Sequence, residues 1–337
     1  MRCIFCLNDR PASKEHVFAL AIGGSLTTDR VCELCNSTLG SRVDAPLTDF
    51  FPIRMRRADL GLAGNSGSPP DAFEMLIGVA KLAEQPGRRV QTTMNKETGK
   101  LDIKALHHAS DAELPDGTKV RQIIIDERDV DQIPKIIQRE RKRHGVPPLS
   151  DEQLAAEVLK AKQNVTTIDN PAVLIEMNVS FAYLRHAMMK IAYELAFLWL
   201  GESYLDDLSA AELRTAICAP NITSTDEIPG YLGDAVNCEA FKLWSEDKTH
   251  HIAYAMVGNG GIALAVRVFD IYAAVVWVTK DASRYLLGRD ANAVLRFLTI
   301  EPVSGNIRDV PFNEELYRLA RVMTEAARTA CASPTAS

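Results

Sequence analysis

Four cysteines near the start of the chain have the spacing of a metal site. Cys3 and Cys6 form one C-x-x-C pair, and Cys32 and Cys35 form a second pair after 25 intervening residues. Two such pairs commonly hold a zinc ion with four thiolates in a tetrahedron. We therefore predict a structural zinc ion on these four cysteines.

The remaining cysteines help to identify the redox environment. Cys218, Cys238 and Cys331 are scattered along the chain and bring the total to seven. An odd count with two clustered pairs is typical of a reducing compartment and a metal site, not of a disulfide framework. The chain also begins without the pattern of a cleavable export signal. We expect a cytoplasmic protein.

Residues with catalytic chemistry lie between and just after the two cysteine pairs. The spacer contains Lys14-Glu15-His16-Val17 and, further on, Gly23-Gly24, while Asn36 follows the second pair directly. A histidine with an ordinary pKa of about 6.5 is to a large extent in its neutral form at neutral pH and can act as a base. Carboxylate and amide oxygens are hard donors that suit magnesium.

In this order, the cysteine pairs, Glu15-His16, the two glycines and Asn36 resemble the HNH endonuclease family, in its branch with a four-cysteine zinc site. The resemblance covers residues 1 to about 50. It implies a ββα-metal fold of two strands and a short helix that starts near Cys35, with zinc replacing the core that so short a segment lacks. It also implies that His16 is the general base and that Glu15 and Asn36 bind a catalytic divalent ion, usually magnesium.

Two positions depart from the family pattern. The stretch 25–31 has no Asn or His that would orient the base, so Asp29 or a backbone carbonyl would do so instead. Asn36 stands where the family has a final histidine. For Asp44 we favour a structural role, either at the helix end or in holding Arg42, with metal binding as the alternative. The glycine pair is predicted to make the turn between the two strands.

Charge along the chain limits how nucleic acid is bound. The net charge is −6 at pH 7, which argues against a large non-specific DNA-binding surface but allows a local basic cleft. Arg54, Arg56 and Arg57 follow the Cys-rich module and are predicted to bind DNA. A second basic stretch at 135–143 is interpreted as a solvated helix face in preference to a phosphate contact.

The rest of the chain predicts a larger α+β domain. We divide the sequence into a nuclease module at 1–52, a linker at 53–70 and a C-terminal domain at 71–332. Helical spacing at 72–83 predicts a helix, and the charged residues within the apolar stretch 179–200 favour a buried helix over a membrane span. An antiparallel meander is predicted from three β-rich runs at 251–257, 262–268 and 272–278.

The sequence thus predicts a metal-dependent endonuclease that hydrolyses phosphodiester bonds in DNA. The family resemblance implies a restriction or anti-phage setting, and the C-terminal domain would choose the target, form a homodimer or bind a regulatory partner or ligand. Two alternatives stay open. One is a non-catalytic zinc module that binds nucleic acid or protein, and the other is an RNase.

Overall fold

The structure is a computed structural model of the full chain. It describes the residues 1–85, 87–95, 97–113, 115–177, 179–219, 230–235 and 237–332. No helix within these ranges combines the length and the apolar character that crossing a membrane requires.

The strands and helices are numbered here in chain order. The strands are β1 Ala12–His16, β2 Thr27–Cys32, β3 Gly78–Leu82, β4 Arg89–Met94, β5 Leu101–Ala105, β6 His108–Glu113, β7 Lys119–Ile124, β8 Val173–Leu174, β9 Gly230–Asp234, β10 His251–Gly258, β11 Gly261–Val268, β12 Tyr272–Thr279, β13 Arg296–Ile300 and β14 Ile307–Pro311. The α-helices are α1 Glu33–Leu39, α2 Ala45–Thr48, α3 Phe51–Asp59, α4 Ile133–Arg143, α5 Asp151–Gln163, α6 Phe181–Leu200, α7 Leu208–Cys218, α8 Ser283–Leu286, α9 Ala291–Val294 and α10 Phe312–Ala332.

The N-terminal module is a two-stranded antiparallel hairpin followed by a helix. β1 pairs with β2, and the pairing shifts by one residue between Ser13 and Glu15. α1 begins directly after β2, at Glu33, which is two residues before the predicted start near Cys35. A π-helical turn, Gly40–Asp44, continues α1 into α2. The predicted ββα arrangement is therefore present.

An antiparallel sheet of six strands forms the largest layer, in the order β14-β13-β10-β11-β12-β9. Its centre is the predicted meander, because β10 pairs with β11 and β11 with β12. The apolar helix α6 packs against β11, β12 and α7. The sequence of α6 is apolar on nearly all sides, which is typical of a helix buried between layers. The predicted mixed α+β fold with an antiparallel sheet is confirmed.

The chain divides into two compact units, and the first consists of Met1–Ala72 and Val179–Ser337. Its main core joins apolar side chains of the N-terminal module, such as Val17 and Phe18, to those of α6 and the six-stranded sheet. The sequence-based boundaries separate 1–52 from 71–332, whereas here the module shares a core with residues after 179. A hairpin and a short helix bury too little apolar surface alone, so packing on α6 completes the module's core.

The second unit is Phe73–Asn178. It contains the sheet β5-β4-β3-β8, the hairpin β6-β7 and the helices α4 and α5. β4 and β5 pair as an antiparallel hairpin. Its small apolar core includes Ala80, Leu82 and Val90.

Two local predictions were wrong. The helix predicted at 72–83 is a short 3-10 turn, Glu74–Leu76, followed by β3. Residues from 78 onwards alternate between exposed and buried and pair with β4, so strand pairing outweighs helical spacing. The linker predicted at 53–70 begins inside α3, whose side chain Ile53 is fully buried in the main core.

Candidate functional site

The four predicted zinc ligands come together at one end of the hairpin. Their Sγ atoms all lie within 4.8 Å of one another, and the Sγ atoms of Cys6 and Cys32 are 3.8 Å apart. Zinc held at about 2.3 Å by four tetrahedral sulfurs separates those sulfurs by roughly 3.8 Å. The cysteine cluster therefore has the dimensions of a tetrahedral zinc site and could hold the ion.

Local structure explains why both cysteine pairs converge. Cys3 and Cys6 lie on a tight turn that is closed by the Leu7 N–H donating to the Cys3 carbonyl at 2.9 Å. Cys32 ends β2, and Cys35 follows in the first turn of α1. Burial alone would raise the pKa of Cys6, but the Asn8 backbone N–H and the other sulfurs lower it to about 7. The lowered pKa favours the thiolate form of Cys6, whereas burial raises the pKa of Cys3 and Cys35.

His16 ends β1 opposite Thr27 and is half-buried. Its Nδ1 lies 2.8 Å from the Gly24 carbonyl oxygen. Because a carbonyl oxygen only accepts, Nδ1 is the donor in this contact, and Nε2 is the ring nitrogen left to act as a base. Within the described part of the chain Nε2 has no hydrogen-bond partner. The backbone carbonyl thus orients His16, and Asp29 is an exposed residue on β2.

The glycine pair shapes the loop that provides this carbonyl. Gly23 has a φ of +80°, in the left-handed region. A Cβ at Gly24 would lie 1.8 Å from the Phe18 carbonyl oxygen, so a larger residue cannot fit without moving the loop. The predicted turn between the strands is present, and its second glycine also supplies the acceptor for His16.

A buried histidine from the large sheet holds the same loop. His251 Nε2 donates to the Ile22 carbonyl oxygen at 2.8 Å, and its Nδ1 accepts from the Phe269 N–H at 3.3 Å. The ring stacks on Phe18 with 5.1 Å between ring centroids. Burial lowers the pKa of His251 to about 4, so the ring is neutral at pH 7. His251 is therefore a core residue that supports the loop carrying Gly24.

Glu15 points to the opposite side of β1 from His16, towards α6. Its side chain is 2% exposed, and its Oε1 lies 2.5 Å from Nζ of Lys190 on α6. The register shift precedes Glu15, so Glu15 and His16 remain successive strand residues that face opposite ways.

Two more carboxylates surround the Lys190 ammonium. Asp44 Oδ2 and Glu194 Oε2 each lie 3.4 Å from Nζ, and the His16 carbonyl oxygen accepts from it at 2.8 Å. Burial raises the pKa of each of the three carboxyl groups, against the effect of Lys190. Burial alone would lower the pKa of Lys190, but the carboxylates raise it. Asp44 was predicted to act at the helix end, to hold Arg42 or to bind a metal, and its ion pair with Lys190 was not predicted.

Asn36 fastens the helix to the hairpin. Its Nδ2 donates to the Ser13 hydroxyl at 3.1 Å and to the Lys14 carbonyl at 2.9 Å. The structure therefore gives Glu15 and Asn36 separate partners and does not place them on one metal ion. Judged by these contacts, the two side chains do not fit the predicted catalytic metal site.

The three arginines after the module lie on α3. Arg57 is buried and donates to the Thr48 carbonyl at 3.1 Å. Arg56 pairs with Asp270 at 2.9 Å. These two side chains have partners within the unit, and DNA binding by Arg54, Arg56 and Arg57 stays a prediction.

A groove of about 750 Å³ runs along the hairpin and the end of α6. Arg30 pairs with Glu202 across it and lies over the Phe197 ring at 5.1 Å. Lys14, two residues before His16, is exposed and has no ion-pair partner among the described residues. The residues that line the groove include Lys14, Thr28, Asp29, Arg30, Phe197 and Glu202.

Residues 3–52 match a family model described as HNH endonuclease. The N-terminal segment is an HNH module. No curated protein matches the chain, and no solved structure does so either. The match covers the cysteine cluster, the hairpin with His16 and the helix with Asn36, and it ends within α3.

Sequence reasoning missed the part of the site that lies outside the HNH module. Lys190 and Glu194 were noted only as charges that argue against a membrane span. A lysine and a glutamate four residues apart in a nearly all-apolar helix are a usable signal, because a buried charge needs a buried partner. The partner could not be named, since nothing in the sequence shows which segment packs on α6.

Proposed function

We propose that the protein is an endonuclease that hydrolyses phosphodiester bonds with His16 as its general base. The observation that carries the proposal is the bond from His16 Nδ1 to the Gly24 carbonyl. It fixes the ring and leaves Nε2 able to accept a proton from water. A histidine on a β-hairpin beside a cysteine cluster, within a matched HNH module, supports this role.

The chemistry assigned to the chain's own residues is limited. Nε2 would take the proton of the attacking water, and the Gly24 carbonyl would stabilise the imidazolium through Nδ1. Magnesium or another divalent ion, as the family uses, would supply charge stabilisation at the phosphate. Because Glu15 is paired with Lys190 and Asn36 with β1, we assign no step to that ion.

DNA is the proposed substrate, from the family resemblance. The groove beside β1 and β2 supports a nucleic-acid site, because its lining includes the exposed Lys14 and Thr27, the residue that pairs with His16 across the hairpin. A restriction or anti-phage setting, a cytoplasmic location, homodimer formation and a regulatory partner or ligand for the larger domain are also proposals. They rest on the family and on the free thiols, and an RNase would use the same chemistry.

One observation favours a second candidate, a non-catalytic zinc module that binds nucleic acid or protein. The carboxylate of Glu15, expected to bind the catalytic ion, is already neutralised by Lys190. With Glu15 held in this pair, the module would bind nucleic acid or protein without cutting it.

A nicking assay separates the two candidates. Supercoiled plasmid is incubated with the wild-type protein and with His16→Ala, with and without Mg²⁺ or Mn²⁺. Loss of a general base typically lowers the rate by about 10²–10⁴-fold, so we expect the variant to lose nicking while keeping zinc and fold. His144→Ala, at an exposed position after α4, is the matched control.

The outcomes are distinct. Wild-type-like nicking by His16→Ala would remove His16 from the mechanism. Metal-dependent binding without nicking by the wild-type protein would support the non-catalytic module. A parallel assay on single-stranded RNA tests the RNase alternative.

A further inference from the structure

The fully buried ammonium group of Lys190 contacts residues of the HNH module, although Lys190 lies far from the module in the sequence. Lys190 is 0% exposed, and its Nζ is surrounded by oxygen atoms at 2.5–3.4 Å. Three of them are carboxylate oxygens, from Glu15, Asp44 and Glu194. The fourth is the backbone carbonyl oxygen of His16.

The cluster carries more acidic groups than one lysine balances. Both Glu194 side-chain oxygens are buried without a hydrogen-bond partner, although Oε2 lies within ion-pair distance of Nζ. Glu194 is 0% exposed and directed at the ammonium group. Buried carboxyl groups of this kind need a nearby cation or a bound proton, and burial raises the pKa of all three. Among the described residues, only the four cysteines have the spacing of a metal-binding group.

We propose that Lys190 is the resident cation of this carboxylate cluster and a positioning residue for His16. The ammonium, and not a divalent ion, balances Glu15, Asp44 and Glu194, whose oxygens are too widely spaced around it to form a metal site while Lys190 is present. Through the His16 carbonyl it also fixes the end of β1, while Gly24 fixes the imidazole. The statement about His16 as a base rests on the proposed function, whereas the statement about the cation does not.

The helix that carries Lys190 makes displacement of the ammonium difficult. α6 spans 20 residues and is buried along most of its length in the main core. A divalent ion at Glu15 would have to share the site with a positive charge at 2.5 Å or move that side chain. Glu15 is therefore committed to Lys190, and the HNH module of this chain is completed by α6.

The test replaces the internal cation with an external one. Lys190→Met keeps the length and volume of the side chain but removes its charge. Thermal unfolding is followed with and without Mn²⁺, a hard divalent ion that accepts oxygen ligands, while zinc content is monitored. We expect Mn²⁺ to raise the Tm of Lys190→Met by roughly 2–8 °C more than that of the wild type. Adding Glu15→Gln should remove the extra stabilisation.

The control is Lys280→Met, which removes an exposed lysine paired with Glu212. It should respond to Mn²⁺ as the wild type does. A lysine with a merely structural role would leave no cation site behind, so an equal Mn²⁺ response in Lys190→Met and the wild type would overturn the proposal.

A second measurement applies if Lys190→Met does not fold. Mn²⁺ binding to the wild type and to Glu15→Gln is measured by electron paramagnetic resonance. We expect the two dissociation constants to agree within about threefold, because Glu15 is not a metal ligand while Lys190 is present. Weakening by about tenfold or more would identify Glu15 as a ligand and overturn the proposal. Neither readout depends on cleavage, so a failed nicking assay would refute the proposed function alone.

Discussion

The two clusters of the HNH module differ in where their parts come from. The four cysteines lie within the first 35 residues and meet through a turn, a hairpin and the start of a helix. The carboxylate cluster uses Glu15 and Asp44 from the module but takes Lys190 and Glu194 from α6. A cluster whose residues come from neighbouring segments can be predicted from their spacing in the sequence. A cluster that a distant helix completes depends on how the whole unit packs.

The largest effect should come from breaking the cysteine cluster. Cys3→Ser combined with Cys32→Ser removes two of four sulfurs, and structural zinc sites contribute about 10–16 kcal/mol of apparent binding free energy at pH 7. We expect the variant to lose its zinc and the N-terminal module to unfold. Elemental analysis and thermal unfolding measure both.

The control for this experiment is Cys218→Ser, whose sulfur lies outside the four-cysteine group. It should retain one zinc ion per chain. Full zinc retention in the double variant would show that these sulfurs are not the ligands.

This contrast also explains what could be predicted from the sequence. The cysteine cluster and the meander follow from local patterns and the N-terminal hairpin from the family resemblance, and each was found where it was expected. The direction of the Glu15 side chain was not found as expected. The family resemblance implies that Glu15 and His16 serve one site, which would require the strand to present both side chains to the same side. The register shift falls before Glu15 and leaves the two side chains on opposite faces. The lysine that Glu15 meets lies 175 residues further along the chain.

The second effect comes from removing the internal cation. Breaking a buried ion pair by deleting one partner costs about 3–5 kcal/mol, because the remaining charges stay buried. We expect Lys190→Met to lower the free energy of unfolding by this amount in denaturant titrations. The exposed pair of Lys280 and Glu212 serves as the comparison, and Lys280→Met should have little effect. If the two variants lose the same free energy of unfolding, the ion pairs of Lys190 with the carboxylate cluster contribute no more to stability than an exposed pair.

A smaller effect concerns His251, the uncharged residue of the six-stranded sheet that contacts the HNH module. His251 has a pKa of about 4 in the folded protein, below the value of 6.5 expected when unfolded. Between these pH values the unfolded state binds a proton that the folded state does not. Stability is therefore lost as the pH falls, by up to about 1.4 kcal/mol per pH unit.

Denaturant titrations from pH 7 to pH 5 measure this loss. His251→Gln removes the titrating ring, so its free energy of unfolding should fall less steeply with acid than that of the wild type. His144→Gln changes an exposed histidine instead. An unchanged pH slope in His251→Gln would show that the buried ring does not control this dependence.

The smallest effect tests whether the groove beside the hairpin binds nucleic acid. Lys14 is exposed, has no ion-pair partner among the described residues and lines that groove two residues before His16. One lysine–phosphate contact contributes about 0.9 to the slope of log K against log salt on duplex DNA. We expect Lys14→Gln to reduce the slope by about that amount and to weaken binding similarly for all sequences. Lys104→Gln is the comparison, because Lys104 already pairs with Asp129 at 2.8 Å. Fluorescence anisotropy over a salt series measures both slopes. If Lys14→Gln binds DNA with the wild-type slope, the groove is not the nucleic-acid surface. The hairpin would then contribute the cysteine cluster and His16, and the substrate would have to be held by another part of the chain.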